Sequence, residues 1–184
     1  MIGLSPMSDL KLVWMDLEMT GLDPESCAVI ELAIIVTGDD LVPIEELERV
    51  VWQPEEVLAR TSPFVRDMHT RNGLLAKVRT SPHGLEDVQR DAIALVAKHC
   101  RYREGVLAGN SIHQDRRFLQ RHLPQLEGFL HYRQVDVSSL KVLVQAWKGR
   151  DAIPRKEDKN HTALDDIRAS IAELAQYRAL LFGT

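Results

Sequence analysis

Two periodicities of apolar residues divide the chain into a strand-rich first part and a second part in which short strands alternate with helices. Apolar, β-rich runs occupy 11–17, 27–38 and 41–52, with short polar links between them. A parallel crossover connection needs about a dozen residues or more. The three runs are therefore predicted to form an antiparallel meander.

Beyond residue 52 the spacing of apolar residues becomes helical. Short helices with a break at Gly73 are predicted over 62–78, and brief strands are predicted at 105–109 and 132–137. A polar, charged loop at 149–160 precedes the last helix. The longer predicted helices are 84–100, 111–123, 138–148 and 162–181.

This order of elements predicts an α/β fold with a five-stranded mixed sheet, in which three antiparallel strands are followed by two parallel strands. Helices are expected on both faces of the sheet. A chain of 184 residues is long enough for one domain with a substantial core. We expect that domain to span 9–184 and residues 1–8 to form a disordered leader.

Composition restricts the classes of function. Hydrophobic residues make up 45% of the chain and charged residues 27%, which is typical of globular proteins. The net charge of −4 argues against a basic groove that tracks long DNA or RNA. The sequence has no signal-like run and no run long enough to span a membrane. Cys27 and Cys100 lack metal-ligand spacing and are expected to be reduced thiols. We therefore expect a cytoplasmic protein without membrane partners.

Two acids stand where a buried strand should be apolar. Asp16 and Glu18 end the first predicted strand, and alternation places both side chains on one face of it. By themselves they could be solvated acids at an exposed strand end. The alternative is a site for a divalent cation, because two neighbouring carboxylates repel each other unless positive charge lies between them.

Two helix starts supply further acids. Asp115 falls in the first turn of the helix after the fourth strand, where an acid also suits the helix dipole. In "HTALDD", Thr162 and Asp165 form a capping box. Asp166 points about 110° from the centre of the predicted buried stripe, against about 150° for Asp165, so it lies nearer the sheet. That stripe comprises Leu164, Ile167, Ile171, Leu174 and Leu181.

Sites in open α/β sheets lie at the carboxyl ends of the parallel strands, where these acids are expected to meet. Four carboxylates together require cations, and hard oxygen ligands suit Mg²⁺ or Mn²⁺. A pair of such ions is a common arrangement for cleaving phosphodiesters. His161, five residues before Asp166, is a candidate general base, although a lone histidine before a helix is more often a surface residue.

The motifs "DLEMTGLDP", "GNSIHQDRRFL", "HYRQVDVSSLK" and "HTALDDIRASIAEL" closely resemble the oligoribonuclease family, 3′-to-5′ exoribonucleases of the DEDDh group. The likeness runs from about residue 12 to 177. It implies a ribonuclease H-like fold and a homodimer that cleaves very short RNAs, especially dinucleotides such as pGpG, to nucleoside 5′-monophosphates. It also implies that Asp16, Glu18, Asp115 and Asp166 hold two Mg²⁺ or Mn²⁺ ions and that His161 is the general base.

The resemblance also assigns substrate contacts. Leu17 and Met19 would wedge the bases, and His69 would bind substrate. Phe64 aligns where the family commonly has tryptophan, so a smaller ring without an indole N–H would stack on the 3′ base. Ser111, Arg133 and Ser138 match positions that cap the 5′ phosphate. Tyr132 matches a substrate-binding tyrosine that is offered from the partner subunit.

Three other functions compete with this interpretation. A DEDDh exonuclease for longer DNA or RNA would share the acids and differ in its preference for substrate length. A nucleotide-sensing protein that kept the fold is disfavoured by the complete set of acids with His161. A zinc hydrolase is disfavoured because no second histidine or cysteine stands at ligand spacing near the acids.

Overall fold

A five-stranded sheet forms the centre of the protein in a computed structural model, which describes residues 10–153 and 162–183. Its strands are β1 (Leu12–Met19), β2 (Val29–Thr37), β3 (Pro43–Val50), β4 (Val106–Gly109) and β5 (Gln134–Asp136). They lie in the order β3-β2-β1-β4-β5. The first three strands pair antiparallel, whereas β4 pairs parallel to β1 and β5 parallel to β4. The predicted sheet is confirmed.

The helices fall close to the predicted positions. They are α1 (Glu55–Leu58), α2 (Pro63–Arg71), α3 (Leu74–Thr80), α4 (Leu85–His99), α5 (His113–His122), α6 (Pro124–Phe129), α7 (Val137–Lys148) and α8 (Ala163–Phe182). Gly73 breaks α2 from α3 with a left-handed φ of 77°, a conformation that glycine adopts without strain. The short helices α1 and α6 were not predicted, because so few turns carry no clear apolar period.

Side-chain alternation along β1 divides the core between the two faces of the sheet. Val13, Met15 and Leu17 pack with residues of α4, α5 and α6 on one face. Leu12 and Trp14 pack with residues of α7 and α8 on the other face. The predicted arrangement, with helices on both faces, is confirmed. Because Asp16 and Glu18 continue the even-numbered series, they point to the face covered by α8.

The buried side of α8 is rotated from the predicted stripe. Ile167 and Ile171 are buried as predicted, while the three predicted leucines are half-buried. Ser170, Glu173 and Tyr177 are buried instead, because they find polar partners inside the protein. In the part of the chain that the structure describes, no helix is long and apolar enough to span a membrane.

Candidate active site

Asp16 and Glu18 lie at the carboxyl end of β1, which is also the end where the parallel strand β4 leads into α5. Both residues are half-buried and lie on the α8 face of the sheet. Directly across the antiparallel pair with β2, Glu18 stands opposite Glu31. The end of β1 therefore concentrates acidic groups in an environment poor in water.

Asp166 reaches these acids from the first turn of α8. The helix starts at Ala163, after Thr162, whose hydroxyl accepts a hydrogen bond of 3.2 Å from the N–H of Asp165. This cap leaves Asp165 exposed, whereas Asp166 is half-buried. One carboxylate oxygen each from Asp16, Glu18 and Asp166 lie within 4.8 Å of one another. The structure brings these three predicted acids together.

Asp115 is not one of the three acids whose oxygens lie within 4.8 Å of one another, but it is held beside them. It lies in the first turn of α5 and is only 7% exposed. Its Oδ1 accepts a hydrogen bond of 3.0 Å from the N–H of Leu17, the residue between the two acids of β1. The fourth predicted acid is thus held against the strand that carries Asp16 and Glu18.

Burial and mutual repulsion make Asp16, Glu18 and Asp115 hard to ionise. Burial raises the pKa of Asp16 well above its ordinary value, and the charges of Asp115, Glu18 and Asp166 raise it further. Burial first, and then the charge of Glu31, raises the pKa of Glu18 to about 7. Burial likewise raises the pKa of Asp115 to about 7. Such a set of hard oxygen donors fits a divalent cation, which would remove the repulsion.

Glu31 is a fifth acid that the sequence analysis missed. It is 4% exposed, and burial followed by the charge of Glu48 raises its pKa to about 7. A backbone interaction with Ala163, at the start of α8, partly opposes this rise in the pKa of Glu31. An acid inside the apolar run "VIELAII" is the same signal that marked Asp16 and Glu18, so it could have been found.

Comparison with known proteins gives this arrangement a family. A family model described as "RNase_T: Exonuclease" matches residues 13–174. The oligoribonuclease of Vibrio parahaemolyticus is 45% identical over 176 residues, covering 95% of this chain and 97% of that protein. The oligoribonuclease of Francisella tularensis is 44% identical over 171 residues, covering 92% and 95%. This chain belongs to the oligoribonuclease family of exonucleases. The predicted family is confirmed.

Solved structures support the fold independently. The E. coli exonuclease I complex with a 5cy-dT13 oligonucleotide has a TM-score of 0.70 at 15% identity. Exonuclease I from Methylocaldum szegediense has a TM-score of 0.65 at 19% identity. Both matches cover 95% of this chain, but only 42% and 41% of those longer chains. At this level of identity the likeness concerns the exonuclease fold alone.

The residues predicted to contact the bases or bind the substrate differ from one another in exposure. Leu17 is 5% exposed and belongs to the core, Met19 is half-buried, and Phe64 on α2 is 79% exposed. His69 is buried, with Nε2 at 3.2 Å from the carbonyl oxygen of Met19 and 3.7 Å from Oε2 of Glu18. Burial lowers the pKa of His69, which favours a neutral ring beside the acids.

Ser111 and Ser138 meet at the starts of α5 and α7. Their hydroxyl oxygens are 3.2 Å apart, and the N–H of Ser111 donates to the Oγ of Ser138 at 3.0 Å. Asp136 accepts from the N–H groups of both serines, each at 3.0 Å. Ser111 holds a left-handed φ of 51°. The two hydroxyls therefore form one polar surface at the carboxyl end of β4.

The half-buried amide of Asn110 supports this pair and was also missed from the sequence. Asn110 accepts a hydrogen bond of 3.0 Å from the hydroxyl of Ser138. Its amide nitrogen donates to Ser170 at 2.9 Å and to Glu173 at 3.0 Å, both on α8. The serine pair is thereby linked to the helix that carries Asp166. Nothing in the periodicity of the sequence signals this connection.

Tyr132 and Arg133 lie away from the serine pair. Strand β5 runs parallel to β4, with Gly109 opposite Asp136. Arg133 comes just before the first residue of β5, so its backbone lies about 10 Å from that of Asp136 and from the serine pair's end of the sheet. There Arg133 lines a cavity with Lys11 and lies 5.4 Å from the ring centroid of Tyr132. Within one subunit, the structure does not bring these two residues to Ser111 and Ser138.

His161, the predicted general base, lies outside the described residues, as do residues 1–8 of the predicted leader. In the sequence it directly precedes Thr162, the residue that caps α8.

Proposed function

We propose that this protein is a 3′-to-5′ exoribonuclease that hydrolyses very short RNAs, especially 5′-phosphorylated dinucleotides including pGpG, to nucleoside 5′-monophosphates. The observation that carries the proposal is the set of three carboxylate oxygens within 4.8 Å, with Asp115 hydrogen-bonded to the strand between two of them. The relatives that match nearly the whole chain are named oligoribonuclease.

The acids are proposed to hold two divalent cations, Mg²⁺ or Mn²⁺. When bound, such cations neutralise the carboxylates and stabilise the negative charge that develops on a phosphodiester during cleavage. Asp16 is the proposed central acid of the set, because burial and the charges of Asp115, Glu18 and Asp166 all raise its pKa. Glu18, Asp115 and Asp166 complete the set.

His161 is the proposed general base. The imidazole accepts a proton from water, the water oxygen bonds to phosphorus, and the bond from phosphorus to the 3′ oxygen breaks. The departing 3′ oxygen takes up a proton and leaves as the hydroxyl of the shortened product. The position of His161 directly before the cap of α8 supports this role, since Asp166 lies in the first turn of the same helix.

Substrate length is proposed to be read at the 5′ phosphate. The hydroxyls of Ser111 and Ser138 offer donors to phosphate oxygens at the start of two helices, where anions are favoured. The bases would contact Leu17, Met19 and Phe64, and His69 would bind the substrate. A net charge of −4 suits a substrate with few phosphates.

A homodimer completes the proposal, with Tyr132 offered to the partner subunit and Arg133 beside it as a phosphate contact. Tyr132 is 73% exposed and has a cationic neighbour, features that suit an intermolecular contact. Exposed Val142 and Trp147 on α7 supply further apolar surface. A cytoplasmic location remains part of the proposal and is supported by the free thiols of Cys27 and Cys100.

The second candidate is an exonuclease for longer single-stranded nucleic acid, which is favoured by the likeness to exonuclease I in complex with an oligonucleotide. One experiment separates the two. Labelled, 5′-phosphorylated RNAs of two to eight nucleotides are incubated with Mg²⁺, Mn²⁺ or EDTA. A steep preference for the dinucleotide that EDTA abolishes supports the proposal, and Asp16→Asn serves as the inactive control. Equal rates at all lengths would favour the second candidate.

A further inference from the structure

An exposed aromatic tip projects from the loop between α6 and β5. The rings of His131 and Tyr132 stack with centroids 4.6 Å apart, and the guanidinium of Arg133 lies 5.4 Å from the centroid of the tyrosine ring. Tyr132 nevertheless remains 73% exposed. Because few side chains hold the exposed ring of Tyr132, its direction depends on how firmly the backbone of residues 131–133 is fixed.

Arg116 fixes that backbone. Its guanidinium donates to the carbonyl oxygen of His131 at 2.9 Å and to that of Arg133 at 3.3 Å. These two carbonyls flank Tyr132, so one side chain holds the chain on both sides of the exposed ring. The same guanidinium donates to Oε1 of Glu127 at 3.0 Å, which balances its charge.

Only an arginine can make this set of contacts. Its planar guanidinium carries five donors in a fixed fork, whereas a lysine offers a single compact ammonium. The side chain of Arg116 is 12% exposed, so lost contacts would not be replaced readily by water. Both flanking carbonyls therefore depend on the geometry of this group.

Arg116 directly follows Asp115 on α5. In the first turn of α5, the carboxylate of Asp115 therefore lies beside the acids of its own subunit, and the guanidinium of Arg116 contacts the aromatic tip. We propose that Arg116 is a positioning residue that presents Tyr132 and Arg133 to the substrate bound by a second copy of the chain. This inference rests on the proposed dimeric exoribonuclease function.

Kinetics of single variants provide the first test. Arg116→Lys is expected to raise KM for a 5′-phosphorylated dinucleotide by about 10-fold, the cost of losing hydrogen bonds to a charged group. Its kcat should stay within about twofold, because Asp115 and the acids are untouched. Arg117→Lys is the matched control, since Arg117 is exposed and donates to Gln114 on its own helix. A lowered kcat with unchanged KM would overturn the assignment.

Mixing of subunits provides the decisive test. The Arg116→Met subunit retains all four acids, but its aromatic tip is expected to lose its fixed position. The Asp16→Asn subunit retains the aromatic tip, but its own acidic centre is expected to be inactive. If the tip acts across the dimer, random pairing into two-fold dimers makes about a quarter of all sites complete. Activity measured well below KM should then exceed the average of the two variants. Thermal melting checks that each variant is folded, and Arg116→Lys replaces Arg116→Met if it is not.

A parallel mixture of Tyr132→Ala with Asp16→Asn separates the possible failures. Recovery in both mixtures supports the inference. Recovery with Tyr132→Ala but not with the Arg116 variant overturns it, because Arg116 would then act within its own subunit. Recovery in neither mixture contradicts the contribution of Tyr132 across the dimer and removes the basis of the inference. The proposed exoribonuclease activity is then tested separately, by comparing the rate of dinucleotide hydrolysis of the wild-type protein with that of Asp16→Asn.

Discussion

The backbone N–H of Leu17 donates a hydrogen bond of 3.0 Å to Oδ1 of Asp115, across 98 residues of sequence. The bond joins β1, at the point between its two acids, to the first turn of α5. It fixes one carboxylate close to others that repel it. The same contact therefore helps to assemble the acidic centre and, in the absence of cations, holds like charges together where their repulsion destabilises the fold.

Asp115→Asn should separate these two effects. The amide oxygen can still accept from Leu17, while the negative charge is removed. We expect the melting temperature in EDTA to rise by about 2–4 °C, which corresponds to about 1 kcal/mol for a chain of this size. Turnover of a dinucleotide with Mg²⁺ should fall by about 100-fold or more. A lower melting temperature in EDTA would show that repulsion is not the main effect of Asp115.

Asp166 and Asp165 form a matched pair of adjacent acids. Asp166→Asn removes a negative charge from the group within 4.8 Å and replaces one carboxylate oxygen with an amide nitrogen, so it should lower turnover by about 100-fold or more. Asp165→Asn changes the exposed capping acid, so it should cost about 1 kcal/mol of stability at most and leave turnover within a few-fold. Initial rates and thermal melts of both variants give the comparison. Equal loss of activity in both variants would contradict the choice of Asp166.

Stability of the metal-free protein should depend on pH with a definite sign. Glu18, Glu31 and Asp115 have pKa values raised to about 7, against ordinary values of 4.5 and 3.8. Between these limits the folded chain holds more protons than the unfolded chain, so the free energy of unfolding falls as pH rises. Melting temperature in EDTA should therefore drop between about pH 4.5 and 7. Saturating Mg²⁺ should reduce this decline, and an unchanged slope would argue against a cation among these acids.

The serine pair can be tested with its own neighbour as control. Ser138→Ala removes a hydroxyl that lies 3.2 Å from that of Ser111. If the pair caps the phosphate, kcat/KM for a 5′-phosphorylated dinucleotide should fall by about 10-fold, while the unphosphorylated dinucleotide should be little affected. Ser139→Ala, at an exposed position of α7, should change neither substrate. Equal losses for both substrates would contradict a phosphate contact.

Phe64 is 79% exposed on α2 and so is free to stack on a base. Base stacking on an aromatic ring contributes about 1–3 kcal/mol, so Phe64→Ala should raise KM by about 5- to 150-fold. Phe64→Trp should lower KM modestly, because the indole has a larger face. Steady-state kinetics on dinucleotides checks both variants. An unchanged KM in Phe64→Ala would remove this residue from the base-binding surface.

The fold was predictable because its periodicities are local. Short links between apolar runs required antiparallel pairing of the first strands, and alternation along β1 placed Asp16 and Glu18 on one side. On α8, the helical angle favoured Asp166 over Asp165, and the structure places Asp166 beside the other two acids. Each of these inferences compares residues a few positions apart, where backbone geometry decides direction.

Contacts between distant segments were beyond such reasoning. Glu31 faces Glu18 because of the register between β1 and β2, and Asn110 meets Glu173 because α8 packs beside β4. The pair of carbonyls held by Arg116 is a further example. In each case the partner depends on how elements dock, which no local period encodes.

The sequence by itself determined the order and type of the elements and the family to which the chain belongs, and it nominated four candidate acids. Only the tertiary structure decided which oxygens converge, how strongly burial opposes their ionisation, and that Arg133 precedes β5 while Ser111 follows β4 at the opposite end. The physical reason is that propensity and periodicity act over a few residues. Desolvation and repulsion, in contrast, depend on atoms brought together from remote parts of the chain.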